Sequence, residues 1–182
     1  AIYETMVRLS RGYQALLHPY VDSKGNFGRA YSSDMEYAAS RYTEAKLDPI
    51  AGELFRDIDK DTVDFVDNYD ATMKEPTLLP VTFPSILVNS NVGIAVGMAS
   101  NICSFNLQEV CDTTIALIKD ENHDILSTLK APDFPGGGQI IYDRAELEKI
   151  VRTGRGSVKV RAVYSYDKAD NCIDITQIPP TT

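Results

Sequence analysis

Ten tyrosines and only two histidines narrow the chemistry available to this chain. His18 and His123 lie in no recognisable nucleophile setting such as G-x-S-x-G, and surface or packing roles are expected for both. A tyrosine can act as a nucleophile, but its hydroxyl titrates near ~10, so at neutral pH it needs a base, a cation or a metal-polarised phosphate beside it. Tyr42 directly follows Arg41 in the stretch Ala38-Ala39-Ser40-Arg41-Tyr42-Thr43-Glu44. Composition does not rank it above the other nine, and an ordinary half-buried tyrosine remains an open reading at this point.

The other candidate groups each have a plainer alternative. Pro135-Gly136-Gly137-Gly138 and Thr153-Gly154-Arg155-Gly156 could cradle phosphate through backbone N–H groups. Neither fits G-x-x-x-x-G-K-[ST] or a helix-opening G-x-G-x-x-G, and a flexible turn is the expectation for the triple glycine. Arg152 and Arg155 are more suggestive, because two guanidiniums on one turn suit phosphate oxygens. The acidic set Asp57, Asp59, Asp61, Asp64, Asp67 and Asp70 has enough carboxylates for a hard cation but not the spacing of an EF-hand, and a solvated face is expected. Cys103, Cys111 and Cys172 show no C-x-x-C spacing and are expected to be reduced and buried.

These residues must be positioned by an α+β chain. Ile2, Met6, Leu9, Tyr13 and Leu16 recur at spacings of four and three, predicting an opening helix with Glu4, Arg8 and Arg11 on another face. No capping residue precedes Ala1, so this helix is expected to be longer in a parent protein. The stretch 22–28 is rich in turn residues and predicts a loop or β-wing. Asp48-Pro49 predicts a second helix reaching about Lys60, with Ile50, Leu54 and Ile58 at spacing four. Three prolines between Pro76 and Pro84 predict a crossing between subdomains. Beyond them, 86–88 and 94–96 have the apolar character of buried strands.

Asn106 with Glu109 predicts a helix to Lys119 whose inner face carries Leu107, Val110, Thr114 and Leu117. Asp143 with Glu146 opens another, carrying Leu147, Ile150 and Val151, and the alternation from Val158 to Tyr164 followed by Ile173 and Ile175 predicts a hairpin. The domain division expected is 1–75 and 76–182.

The net charge of −8 weighs against a nucleic-acid partner until its distribution is considered. Residues 1–47 hold six basic and five acidic groups, residues 136–182 seven and six, while residues 48–135 hold five and fifteen. A DNA surface at either end is therefore allowed. No apolar run approaches the ~18 to 20 residues of a membrane span and no signal-peptide pattern opens the chain, so a cytoplasmic protein is expected.

Arg41-Tyr42-Thr43-Glu44, preceded by Gly25-Asn26-Phe27-Gly28, resembles the active-site region of the A subunits of bacterial type IIA topoisomerases, gyrase and topoisomerase IV. The segments 61–70, 87–89, 93–102, 131–137 and 152–156 continue the resemblance in the same order, so it spans nearly the whole chain. It implies that 1–75 is the later part of a winged-helix DNA-binding domain, its opening helix the end of the recognition helix, and 76–182 the first part of a tower domain. It also implies that Tyr42 is the nucleophile and Arg41 the stabiliser of the transition-state phosphate. Arg8 and Arg11 on the opening helix become DNA contacts, Ile94 an apolar wedge between base pairs, and Glu4 the acidic position of the quinolone pocket, while Arg152 and Arg155 are candidate phosphate contacts by residue type alone. For Ile94 the plain alternative is a buried strand residue.

The chemistry implied is transesterification of double-stranded DNA through a 5′-phosphotyrosyl bond. Mg2+ and ATP would both be bound by a partner B subunit, in an A2B2 enzyme built on a dimer of A subunits associated with the nucleoid. The segment between Gly28 and Arg41 departs from the usual pattern, as do Ser40 and Cys103-Ser104-Phe105, and Tyr37 lies near enough to raise a question of register. The rival reading is a relative that binds and bends DNA without cutting it.

Overall fold

The computed structural model describes residues 1–12, 16–29 and 36–180. Helices mixed with small antiparallel two-stranded sheets make this an α+β chain, as expected. It forms two compact units, one of Ala1–Ser10 with His18–Ser85 and one of Arg11–Leu17 with Ile86–Thr182.

In the first unit, helix α1 (Ile2–Ser10) packs on strand β1 (Val21–Lys24). β1 pairs antiparallel with β2 (Glu44–Leu47), Val21 opposite Leu47 and Lys24 opposite Glu44. Ion pairs of Lys24 with Glu44 and Lys46 with Asp22 cross this ribbon. The core gathers Val7, Val21, Phe27 and Ala51.

α1 is shorter than its periodicity suggests and turns a different face inward. Val7 is buried and Tyr3, Met6 and Leu9 are half-buried, whereas Ile2 is 82% exposed, so the inward face centres on Val7, with Tyr3 one turn before it. The Ser10 hydroxyl closes the last turn by donating to the Val7 carbonyl (2.7 Å). Tyr13, assigned to the same stripe, lies outside the described residues.

Asp48 caps as expected, its carboxylate accepting from the Ile50 N–H at 3.0 Å, with Pro49 opening a 3-10 turn. Helix α2 (Gly52–Phe55) then stops well short of Lys60. Bonds from Ile58 to Phe55 and from Lys60 to Asp57 continue the chain into the aspartate-rich run as tight turns instead. Within that run Asp57 accepts from Lys60, Asp67 pairs with Lys74 across the ribbon of β3 (Phe65–Asp67) and β4 (Lys74–Pro76), and Asp70 accepts from Thr72. The carboxylates of Asp57 and Asp70 are each held below the usual range, first by those hydrogen bonds from Lys60 and Thr72.

In the second unit, residues 86–88 are not a strand. They complete the single-turn helix α3 (Ser85–Val88), with Val88 buried. The Leu87 carbonyl accepts from the Phe105 N–H, and the wholly buried Ser104 donates to the Asp133 carbonyl at 2.5 Å. Helix α4 (Leu107–Lys119) starts where predicted, Asn106 accepting from the N–H groups of Gln108 and Glu109. Glu109 reaches forward to the Lys130 N–H rather than back to its own cap.

Val110, Thr113, Leu126 of α5 (Ile125–Thr128) and Leu129 fill this side of the core. The Thr128 hydroxyl links Thr113 (2.7 Å) to the His123 ring (2.9 Å), so His123 has a packing role. Helix α6 (Arg144–Thr153) is capped by Asp143 and ends at Gly154 in the left-handed region.

Strand β7 (Gln139–Ile141) pairs with β8 (Lys159–Arg161), whereas β9 (Val163–Asp167) and β10 (Cys172–Gln177) form the hairpin. The alternation from Val158 onward thus belongs to two ribbons, not one. The triple glycine is a pinned turn, the Gly138 N–H donating to the Gln177 side chain at 2.6 Å. Correcting the expectation of buried thiols, Cys103 and Cys111 are half-buried and Cys172, in an edge-exposed hairpin, is exposed. No helix among the described residues is long and apolar enough to cross a membrane.

Candidate nucleophile turn and nucleic-acid interface

Tyr42 ends a 3-10 turn, Ser40–Tyr42, placed immediately before β2. Its N–H donates to the Ala39 carbonyl at 2.9 Å and the Thr43 N–H to the Ser40 carbonyl at 3.2 Å, so the turn is closed by its own backbone. The side chain points into solvent at 67% exposure. The Arg41 guanidinium carbon lies 4.6 Å from the centre of the Tyr42 ring, a cation–π distance. A guanidinium this close to the ring still carries five N–H donors and no acceptor. A bound phosphate oxygen could accept those donors beside the phenol.

The turn rests on two parts of the first unit. The first is the segment after β1. There Gly25 has φ of +99°, and a Cβ at this position would stand 3.1 Å from the Tyr42 carbonyl oxygen and 3.3 Å from the Thr43 methyl. Only glycine combines that backbone with that approach. Next to it the Asn26 carbonyl accepts from the Ala38 N–H at 2.9 Å, and the Asn26 side chain donates to the Glu36 carbonyl.

The second support is α1, through Tyr3. Its hydroxyl donates to the Ala38 carbonyl at 2.8 Å and meets the Thr43 hydroxyl at 2.9 Å. The Tyr3 ring stands edge-on to Phe27 and to Tyr37, with centroids 5.9 and 5.8 Å away. Tyr37, the other tyrosine near this register, is therefore half-buried in an aromatic cluster while Tyr42 is open.

Glu4 and Arg8 are exposed on α1, the same helix that carries Tyr3. Arg11 lies just past the end of α1, half-buried and engaged by other groups. The remaining sequence candidates belong to the second unit. Ile94 sits on the ribbon of β5 (Asn91–Ala95) and β6 (Met98–Ile102), opposite Ala99, and is 87% exposed. Val92, Val96 and Met98 on the same ribbon are exposed too. The expectation that 94–96 is a buried strand is thus corrected: it is a strand and its reversal, and its side chains are exposed.

Gly97 takes φ of +80° in the reversal, and Gly93 faces Ser100 so closely that a Cβ would come within 2.9 Å of the serine oxygen. Arg152 in the last turn of α6 and Arg155 just after it are both exposed, and the Thr153 hydroxyl accepts from the Arg155 N–H. Here α6 presents two cations at its C-terminal end, where the dipole favours them.

Neither Tyr3 nor the contact of Gly25 with Tyr42 stands out in the sequence. Turn composition marks 25–28 as a reversal but carries no sign of what lies against it. A signal for Tyr3 exists in its spacing of four from Val7, which places both on the inner face of α1.

The sequence matches the family described as the A subunit of DNA gyrase/topoisomerase IV over residues 1–182. Among curated relatives it is 43% identical to the DNA gyrase A subunit of Borreliella burgdorferi over 100% of this chain and 23% of that protein. It is 45% identical to the DNA gyrase A subunit of Mycoplasma pneumoniae (98% and 22%) and 46% identical to the DNA topoisomerase 4 A subunit of Neisseria gonorrhoeae (98% and 24%). The chain belongs to this family of DNA gyrase and topoisomerase IV A subunits. It spans roughly a quarter of the length of these relatives, and their similar identities do not separate the gyrase branch from the topoisomerase IV branch.

Proposed function

We propose that this chain is the DNA-cleaving part of a type II topoisomerase A subunit, and that Tyr42 is its nucleophile. The observation that carries the reading is an exposed phenol stacked with the Arg41 guanidinium, on a turn held from two sides, in a chain matched to the family from end to end. The Tyr42 oxygen attacks a DNA phosphorus. One oxygen–phosphorus bond forms to the 5′ phosphate as the bond to the 3′ oxygen breaks. The phenol loses its proton, the 3′ oxygen gains one, and the reverse step reseals the strand with no external energy.

Arg41 neutralises the charge that builds on the phosphate oxygens as the phosphorus becomes five-coordinate, a preorganised electrostatic effect. By the family resemblance, metal donors beside this phenol are assigned to another polypeptide. Mg2+ held by carboxylates of a B subunit would supply Lewis-acid polarisation of the phosphate and leaving oxygen. ATP is assigned to the same B subunit, within an A2B2 enzyme acting on double-stranded DNA in the cytoplasm.

On this reading α1, with Arg8 and Glu4, is the end of the recognition helix of a winged-helix domain, and residues 76–182 are the first part of the tower domain. Glu4 is correspondingly the acidic edge of a drug pocket. Ile94, exposed at the apolar ribbon, inserts between base pairs, and the unstacking it costs is offset by a bent duplex that contacts more protein. Arg11, Arg152 and Arg155 contact phosphates. The chain by itself is expected to be silent, since the B subunit supplies the metal.

The test incubates the full-length A subunit with its B subunit, Mg2+ and plasmid, then adds denaturant. A protein–DNA adduct that is lost in Tyr42→Phe supports the reading. DNA binding and bending with no adduct would favour the non-cleaving relative.

A further inference from the structure

We propose that Tyr3 is a positioning residue for the cleavage turn, locking the orientation of Tyr42 to helix α1. The proposal rests on the assignment of Tyr42 as nucleophile. The proton inventory gives the lock its direction. The Ala38 carbonyl can only accept, so the single phenol proton of Tyr3 goes there, at 2.8 Å. The Thr43 hydroxyl has one proton and two acceptors in reach, the Tyr3 oxygen at 2.9 Å and the Ser40 carbonyl at 3.2 Å. The shorter contact fits the usual O–H···O distance better. One oxygen of α1 therefore ties residue 38, before the 3-10 turn, to residue 43, after it.

The ring cannot easily leave that position. Phe27 and Tyr37 hold it edge-on on two sides, and Phe27 is itself buried. Val7, one helical turn along, is buried in the same core, so α1 cannot rotate without breaking both. Glu4 and Arg8 are exposed on this same short helix. A duplex or ligand that shifts α1 through them shifts the Tyr3 oxygen, and the backbone on both sides of Tyr42 with it. The helix that meets DNA thereby sets where the phenol oxygen stands.

Tyr3→Phe is the decisive substitution, because it keeps the ring packing and removes only the hydroxyl. In the full-length A subunit with its B subunit, single-turnover adduct formation at saturating DNA is expected to slow by about 10- to 100-fold, the size of effect that small misplacements of a reacting group produce. DNA affinity measured without Mg2+ should stay within about twofold. Thr43→Val should slow adduct formation similarly, Tyr3→Phe/Thr43→Val should be no worse than the slower single variant, and Thr43→Ser should restore most of the rate.

An unchanged adduct rate in Tyr3→Phe overturns the positioning role while leaving Tyr42 as nucleophile. So does an effect confined to DNA affinity, or one strictly additive with Thr43→Val. An adduct that persists in Tyr42→Phe overturns the underlying assignment, and the positioning role with it.

Discussion

Replacing Gly25 with alanine perturbs the nucleophile turn without touching a polar group. Two costs add. The backbone at φ of +99° lies where an L side chain is strained, at about 1–3 kcal/mol for such a residue. The new methyl would also stand 3.1 Å from the Tyr42 carbonyl oxygen and 3.3 Å from the Thr43 methyl, so the Tyr42 backbone must retreat by a few tenths of an ångström.

Relief of both costs comes from opening the turn, which exposes the Thr43 N–H now bonded to Ser40 at 3.2 Å. A local opening free energy lowered by about 1–3 kcal/mol corresponds to hydrogen exchange faster by roughly 5- to 150-fold. Exchange measured by mass spectrometry on a peptide covering 39–45 of the full-length A subunit should show that acceleration, with peptides of α4 and α6 unchanged. Adduct formation with the B subunit should fall in parallel. Wild-type exchange at 39–45 together with a wild-type cleavage rate would refute the claim that the 25–28 segment holds the Tyr42 turn in place.

Gly52→Ala is the contrasting change. Its φ is −58° and nothing lies within 4 Å of the added methyl, so denaturant unfolding should show stabilisation of about 0.5–1 kcal/mol. Asn106→Ala removes the acceptor for the Gln108 and Glu109 N–H groups and should destabilise α4 by about 1 kcal/mol in the same measurement.

Stability should also fall in acid. The hydrogen bond from Arg144 holds the Asp124 carboxyl below its ordinary range, and the Ser157 N–H does the same for Glu146. Both groups stabilise the fold while ionised, above the unfolded values of ~3.9 and ~4.3. Melting temperatures should therefore hold between neutrality and about pH 5 and drop below about pH 4. Asp124→Asn should shrink that drop, and an equal drop would remove Asp124 from the explanation.

Local chemistry was legible where a side chain answers its own backbone. Asn106, Asp143 and Asp48 announce helix starts because the acceptor sits two or three residues from the donor it caps. The α+β class followed from the change of apolar period along the chain. Elements decided by distant partners were less legible. The apolar run 86–88 reads equally as strand or helix, and the Phe105 N–H on the Leu87 carbonyl goes with the helical turn.

Likewise 94–96 carries the apolar character of a buried strand, yet it lies on an uncovered two-stranded ribbon. Exposure of this kind cannot be read from residue type. At the candidate site, the Arg41-Tyr42 pair was visible as a dipeptide and stands out by resemblance to the family. Tyr3 and Gly25 were not, since their contacts to the turn span 35 residues or more for Tyr3 and 17 or 18 for Gly25.

If Tyr42 is the nucleophile, its exposed phenol takes up the DNA strand. The most direct measurement traps the full-length complex on plasmid with Mg2+, digests both polymers, and locates the nucleotide-bearing peptide by mass spectrometry. A single modified tyrosine is expected, Tyr42, with its phosphate attached to a 5′ nucleotide. Modification at Tyr37 or at any other tyrosine, or no modified peptide from a complex that cleaves DNA, would contradict it.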